Sequence, residues 1–427
     1  MSDFYIGIMT GNSMDAVDMV YAAIDNTSIH PIYTYTHPFT THMQKQVARL
    51  RELVKTYHSR QAVELLPLFQ TVHDTYIHQI ATSVVTFIQR NKIDVSTIQA
   101  ICSHGKTLDH CPPSVCTKNP YTLQIGSGKM LADEIARQLI QKQIHSCPTI
   151  RVIYDFRSDD MLNGGEGAPL IPPLNALIAR QEGYLNRIDI NAGNTSNLCL
   201  IRNGQALIGW DIGPCNEYMD FLVRTYTNLP FDIDGKLAAQ GQLDTKLLHD
   251  LFEIGCDFYT KQPPRSGDPA HYHTQDISAF QDMNRLADNL YTCAYFAAYL
   301  TVFSFQFIEG FIPERLSLFG GGWKNPVILN ALHSLLNQQG YILPEHTSVF
   351  ADIYRRIKGS IQASIHPYGQ WMESLLLARL GFCFDQKICW TTPALTGCLT
   401  PTVCGIEAVS DLTRQTYDDK ICRAYLP

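Results

Sequence analysis

The feature that most constrains this chain is a doubling. Tyr5-Ile6-Gly7-Ile8-Met9-Thr10 runs into Gly11-Asn12-Ser13-Met14-Asp15 and resumes as an apolar run from Met19 to Ile24. Ile188-Asp189-Ile190 runs into Asn191-Ala192-Gly193-Asn194-Thr195-Ser196-Asn197 and resumes from Leu198 to Ile201. Each is a strand, a turn of small and amide side chains, and a second strand. A turn without bulky side chains lets backbone N–H groups approach an anion, with hydroxyls and amides completing the cradle, so two such turns can grip one phosphate chain. Either turn alone also reads as an ordinary hairpin.

The doubling extends along the chain. Periodicity predicts strands at 4–9, 18–24 and 31–36, then helices at 41–57 and 61–91, where Leu65, Leu66, Phe69, Val72, Ile77, Ile80 and Val84 recur near helical spacing. A strand at 98–103, a helix at 127–142, a strand at 149–154 and a helix reaching about residue 182 follow. The three-strand pattern then restarts at 187–191, 197–202 and 205–210. Helices are expected at 215–227, 235–240, 244–254 and 276–302, a last strand at 315–319, and helices at 326–338 and 370–381. Two halves that each open on a three-stranded meander and continue as alternating strands and helices imply an α/β protein of two related lobes. The expected lobes are 1–183 and 184–427, with ligands in the interlobe cleft at the carboxyl ends of strands. A chain of 427 residues is long enough for two cores.

Charge narrows the partners. Lys plus Arg number 33 against 40 Asp plus Glu, a formal net charge of -7, which disfavours nucleic acid or an anionic membrane. A local Arg or Lys can still hold an anionic small molecule. Thirteen cysteines, an odd number without CxxC metal spacing, read as reduced core thiols of a cytoplasmic protein. No charged segment followed by an apolar run opens the chain, so export is not indicated. The most apolar stretch, Ala294 to Ile312, is interrupted by Gln306 and Glu309 and reads as a buried core helix.

At this point the residues carry a family resemblance that runs from about Tyr5 to Ala408. The chain resembles the anhydro-N-acetylmuramic acid kinases of the sugar kinase, heat-shock and actin-like ATPase superfamily and, more distantly, levoglucosan kinase. The family's G-T-S-x-D-G-x-D is met by Gly11-Asn12-Ser13-Met14-Asp15-Ala16-Val17-Asp18, and its H-G-Q-T by His104-Gly105-Lys106-Thr107. Its D-F-R-x-x-D and G-G-x-G-A-P-L match Asp155-Phe156-Arg157-Ser158-Asp159-Asp160 and Gly164-Gly165-Glu166-Gly167-Ala168-Pro169-Leu170. G-F-D-T-G-P-x-N is close to Gly209-Trp210-Asp211-Ile212-Gly213-Pro214-Cys215-Asn216, and matches continue at Asp234-Gly235-Lys236, Pro263-Pro264-Arg265-Ser266, Gly320-Gly321-Gly322 with Asn325-Pro326, and Glu373.

The resemblance implies two lobes of the actin-like, ribonuclease H-like type and an ATP-dependent kinase. Such enzymes open a 1,6-anhydro bridge with water while the γ-phosphate of ATP passes to O6. Asp211 is then the base, although the same residue reads equally as the N-cap of a helix starting near Cys215. The resemblance places Gly11, Asn12, Ser13, Asp15, Ala192, Gly193, Asn194, Gly320, Gly321, Gly322 and Asn325 on ATP, and His104, Arg157, Asp160, Gly164, Gly167 and Asn216 on the sugar. Phosphoryl transfer implies Mg²⁺, held by phosphate oxygens, water and one or two carboxylates, with Glu373 and Asp15 as candidates. A solvated carboxylate remains the alternative for each of these two, and a structural strand-end histidine for His104. The expected partners are the small-molecule anhydrosugar and ATP, and the expected assembly is a homodimer.

Four departures from the family pattern stand out. Asn12 replaces Thr, Ala16 and Ala192 replace Gly, and Lys106 replaces Gln. Added side chains at the turns are expected to occupy space where a phosphate or sugar approaches the backbone. Two further readings stay open: a noncatalytic sugar or nucleotide binder, and a hydrolase that does not couple bridge opening to phosphorylation.

Overall fold

The computed structural model describes residues 2–11, 14–57, 60–116, 119–146, 148–263, 265 and 277–411. It contains two compact units. Unit 1 is Met1–Leu174 together with Trp371–Pro427, and unit 2 is Asn175–Gln370.

The six-stranded sheet of unit 1 contains β1 (Asp3–Thr10), β2 (Ala16–Ile24), β3 (Ile29–Pro38), β4 (Ile98–Ser103), β7 (Arg151–Tyr154) and β13 (Ile406–Val409), in the order β13-β7-β4-β1-β2-β3. The strands β1, β2 and β3 form an antiparallel meander, and β4 and β7 extend it in parallel. Inner strands of such a sheet are covered on both faces and read as unbroken apolar runs. Accordingly Tyr5, Ile6 and Ile8 of β1 and Ala100, Ile101 and Cys102 of β4 are all buried. The helices Pro67–Asn91 and Gly128–Gln141 supply Ile80, Val84, Ile135 and Leu139 to the same core.

Unit 2 repeats the order with β8 (Arg187–Ala192), β9 (Thr195–Arg202), β10 (Gln205–Pro214), β11 (Arg315–Phe319) and β12 (Gln362–Ile365), arranged β10-β9-β8-β11-β12. Its meander is again antiparallel, and β11 and β12 are again parallel to the first strand. The helix Leu286–Phe303 is buried almost all round, as an apolar helix without a polar face must be. The shared order is the doubling that the turns announced.

Several expectations need correction. Residues 371–411 do not continue the second half; they complete unit 1, and the boundary falls after Leu174 rather than after residue 183. The helix Met372–Asp385 lies over β1, so close that a Cβ on Gly7 would collide with the Ser374 carbonyl oxygen. Tyr5 donates to Asp385 at 2.8 Å, Arg151 pairs with Asp385 and Glu407, and β13 pairs antiparallel with β7. Arg315–Phe319 is thus not the last strand, because the short β12 and β13 follow it. A separate hairpin of β5 (Lys106–Cys111) and β6 (Tyr121–Ile125) and the helix Thr347–Arg356 also lie outside the expected elements. The expected helix at 276–302 starts at Leu286, preceded by two 3-10 turns, and 235–240 holds 3-10 turns instead of a helix. The apolar run to Ile312 is α-helical only to Phe303, turns as a 3-10 helix over Ser304–Phe307 and becomes extended at Ile308. No helix among the described residues is long and apolar enough to cross a membrane.

Candidate active site

In unit 2, the turn between β8 and β9 is built into the helix Asn216–Tyr226. The Asn194 carbonyl accepts from the amides of Cys215 at 2.8 Å and Glu217 at 3.3 Å, and the Gly193 carbonyl accepts from Asn216 at 3.1 Å. Of these, the Glu217 amide is one that an N-cap side chain would serve. Cys215 holds the cap position, without a side-chain cap bond, so Asp211 is not the N-cap of this helix. The Ala192 methyl lies within the unit 2 core.

Asp211 stands in β10 opposite Asn197, at a register shift between Asp211 and Gly213. Its backbone is fixed from both sides by Arg265. The Asp211 amide donates to the Arg265 carbonyl at 3.1 Å, and Arg265 Nε donates to the Asp211 carbonyl at 2.9 Å. The Arg265 guanidinium also donates to the carbonyls of Phe258, Tyr259 and Lys261 and lies over the rings of Phe258 and Phe307. Burial pulls its pKa down to about 10, against the opposing pull of Asp211. Arg265 is thus an anchor that no expectation assigned. Its neighbours Pro264 and Ser266 lie outside the described residues.

Gly320, Gly321 and Gly322 divide by function. Gly320 has φ +91°, and a Cβ there would press on the Ala192 carbonyl and Asn191 Oδ1, while one on Gly322 would meet Ala192 and Cys215 Sγ. These two are glycines because β8 passes close by. Gly321 is exposed, and a Cβ on it would meet nothing within 4 Å. Asn325 caps the next helix through Val327 N at 2.9 Å, and its amide meets Met219 Sδ at 3.7 Å. Asn216 is half-buried at its helix start.

In unit 1, the turn after β1 is closed differently. The Gly11 carbonyl accepts from Met14 N at 3.2 Å and from Lys106 Nζ at 3.0 Å. Asn12 and Ser13, both expected on phosphate, lie outside the described residues, and Asp15 is exposed. Lys106 is 1% exposed. Burial, helped by Arg51 and opposed by Glu373, lowers its pKa to about 8.

Glu373 begins the helix that crosses β1. Ser374 Oγ, next along, donates to the Asp18 carbonyl at 2.8 Å. Thr36 Oγ1 donates to Asp18 Oδ1 at 2.5 Å, and Trp371 Nε1 donates to Thr36 Oγ1 at 3.2 Å. Glu373 is exposed. Desolvation raises its pKa first and Asp18 adds to the rise, against Arg157 and Lys106. Asp18, the last residue of the first motif, is therefore the carboxylate whose charge acts on Glu373. Among the described residues no group of three or more His, Cys, Asp or Glu side chains gathers for a metal.

The remaining expected residues form a scaffold around Arg157. Arg157 donates from Nε to His104 Nε2 at 3.2 Å and from a terminal nitrogen to the Gly167 carbonyl at 2.5 Å. Burial, then Arg157 and Lys106, push the His104 pKa well down, so the ring is neutral. Because Arg157 can only donate, His104 Nε2 is the acceptor and Nδ1 carries the proton. Asp160 is fully buried, accepting from Gly167 N and Thr396 Oγ1, both at 2.7 Å. Its carboxylate shapes the loop, while Gly164 stays exposed and Gly167 buried.

Comparison with known proteins adds to this geometry. A family model described as Anhydro-N-acetylmuramic acid kinase matches residues 3–409. A protein of that name from Chromobacterium violaceum is 29% identical over 416 residues, covering 95% of this chain and 99% of the relative. Another, from Vibrio vulnificus (strain CMCP6), is 27% identical over 399 residues, covering 92% and 95%. Among solved structures, the activator of the 2-hydroxyisocaproyl-CoA dehydratase from Clostridium difficile aligns with TM-score 0.40 and 10% identity, over 90% of this chain and 96% of the other.

Proposed function

The chain belongs to the anhydro-N-acetylmuramic acid kinase family and is an ATP-dependent sugar kinase, and on that premise we propose that Asp211 is the base with which it opens a 1,6-anhydro bridge. Asp211 takes a proton from water as the water oxygen bonds to C1. The C1–O6 bond breaks, and O6 forms its new bond to the γ-phosphorus of ATP as ADP leaves. A carboxylate in this role also stabilises positive character at the anomeric carbon. The single observation that carries the reading is that backbone carbonyls of the β8–β9 turn take the helix amides, while Arg265 fixes the Asp211 backbone from both sides.

Within unit 2, Gly193, Asn194 and Gly321 are the proposed phosphate and nucleotide contacts, since Gly320, Gly322 and Asn325 have packing and capping roles of their own. Within unit 1, Gly11 with Asn12 and Ser13 is assigned to phosphate. Arg157, braced by His104, and the exposed Gly164 are assigned to the sugar, and Asp160 and Gly167 to holding that loop in shape. A divalent cation such as Mg²⁺ is assigned to Asp18 and Glu373, because desolvation first and the Asp18 charge second raise the Glu373 pKa, and a cation would favour the charged carboxylate. When bound, it would supply neutralisation of phosphate charge. The reading includes a cytoplasmic homodimer, in line with cysteines that are unpaired among the described residues.

Product analysis tests the coupling. With an anhydrosugar, ATP and isotopically labelled water, the label is expected at C1 of a sugar 6-phosphate and not in phosphate. Label in inorganic phosphate, with no sugar phosphate formed, would establish the uncoupled hydrolase instead.

A further inference from the structure

His366 directly follows β12 in unit 2 and is buried, its ring tilted against Phe319, the last residue of β11, with 4.8 Å between centroids. Both ring nitrogens are engaged. The Tyr368 amide donates to Nδ1 at 3.2 Å, and Glu182 Oε1 lies 2.9 Å from Nε2. A backbone amide can only donate, so Nδ1 is the acceptor and Nε2 carries the proton offered to the carboxylate. Glu182 is held in turn by Arg187, which is fully buried and pairs with Asp189 on the same strand. Main-chain bonds carry this order to the glycine turn after β11. The His366 amide donates to the Leu318 carbonyl at 2.8 Å, the Gly369 amide to the His366 carbonyl at 2.9 Å, and the Gly320 amide to the Gly369 carbonyl at 3.3 Å. The two segments meet closely, since a Cβ on Gly369 would stand 3.2 Å from Phe319 Cα.

We propose that His366 is a positioning residue for the nucleotide. Anchored to Glu182 through Nε2, it accepts from Tyr368 through Nδ1 and so fixes the turn whose Gly369 carbonyl holds Gly320, which sets the place of the exposed Gly321. The inference rests on the assignment of Gly321 to the nucleotide. A ring that only filled space would need neither nitrogen in a set state. Histidine suits the position because one rigid ring accepts on one side and donates on the other. The two amide side chains separate those functions, since that of Asn reaches the place of Nδ1 and that of Gln the place of Nε2.

Calorimetric titration of the full chain with ATP, joined to kinetics at saturating anhydrosugar, tells the two nitrogens apart. His366→Gln keeps the reach to Glu182 but leaves the Tyr368 amide without its acceptor. It is expected to weaken ATP binding and raise the KM for ATP by roughly three- to tenfold, as loss of one hydrogen bond implies, with kcat nearly unchanged. His366→Asn keeps an acceptor for Tyr368 and gives up Glu182, so it should bind ATP within about twofold of the native chain. Equal ATP affinity in the two variants, whatever their thermal stability, would overturn the role of Nδ1. Gly321→Ala checks the underlying assignment. Weakened ATP binding there beside native binding in His366→Gln would overturn the positioning role alone. Unchanged binding in Gly321→Ala would take the nucleotide away from this turn and this inference with it.

Discussion

Both turns join the first two strands of a sheet with the same strand order, yet their carbonyl groups face different donors. In unit 2 the carbonyls of Gly193 and Asn194 meet the amides that start a helix. In unit 1 the Gly11 carbonyl meets a buried ammonium, that of Lys106. The first closure is backbone on backbone and indifferent to pH; the second brings a charge to the turn. The difference teaches that repeated topology does not repeat chemistry. Unit 2 holds a carboxylate whose backbone is fixed by Arg265, suited to proton transfer, and unit 1 holds carboxylates among cations, suited to phosphate and metal.

The largest expected effect breaks or keeps that division directly. Asp211→Asn preserves size and β10 while removing the proton acceptor, so turnover should fall by ~10²–10⁴-fold with folding and ATP binding intact. Near-normal turnover in a folded variant would take proton transfer away from unit 2. Next come the glycines beside β8. Gly320→Ala combines a positive φ with a backbone collision and is expected to cost roughly 2–5 kcal/mol of stability, read by thermal or denaturant unfolding. Gly321→Ala should leave stability nearly unchanged and raise the KM for ATP. If the two variants destabilised alike, the separation of packing glycine from ligand glycine would be lost.

Acid should sharpen the contrast between the units. Burial lowers the pKa of His37, His73, His104 and His110 in unit 1, and of His346 in unit 2. A histidine kept neutral in the folded state takes up its proton on unfolding, so its contribution is lost as pH falls below about 6.5. Burial has the opposite consequence at Asp189 and Glu217 of unit 2 and at Asp159 and Glu373 of unit 1, whose raised carboxyl pKa values favour the folded state in acid, so the contrast rests on four histidines in unit 1 against one in unit 2. Between pH 7 and 5.5, hydrogen-exchange protection, corrected for the intrinsic rate, should therefore fall in β1 and β4 before β8 and β11. Simultaneous loss in both sheets would contradict this. The smallest effect belongs to Ala192→Gly, which restores the family residue but removes a methyl from the core. It should cost about 1–2 kcal/mol and leave turnover unimproved.

Much of the fold was legible because the meander strands carry unbroken apolar runs ended by Gly and Asn turns, twice in the same order. Element edges were less so. The hairpin Lys106–Cys111 with Tyr121–Ile125 carries His, Asp and Lys among its strand residues, and β12 and β13 are four residues each, too short for a period to register. Sequence order also could not reveal that 371–411 packs with the first unit, since that depends on Gly7 and Gly381 admitting a helix against β1 and β4. At the site, the motif containing Asp211 was visible but its two possible roles were not separable until the helix amides found other partners. Asp18 was overlooked in favour of Asp15 because both fall in one motif and alternation along β2 only acquires a direction in space. Arg265 was visible as part of a motif, but its work is on backbone carbonyls, which leave no pattern in the sequence.

The discontinuity of unit 1 has a consequence for the chain as it leaves the ribosome. The residues of unit 2 emerge between the two segments that make unit 1, so β7 remains an open sheet edge until Ile406–Val409 has been synthesised. Glu373 likewise emerges only after Asn175–Gln370 has been translated. A nascent chain thus carries the first turn, Lys106 and Asp211 well before the carboxylate assigned to the metal. Vectorial synthesis delays nucleotide chemistry until unit 1 can be closed, and a chain released before Glu373 would have an exposed strand edge and lack the carboxylate proposed for the metal.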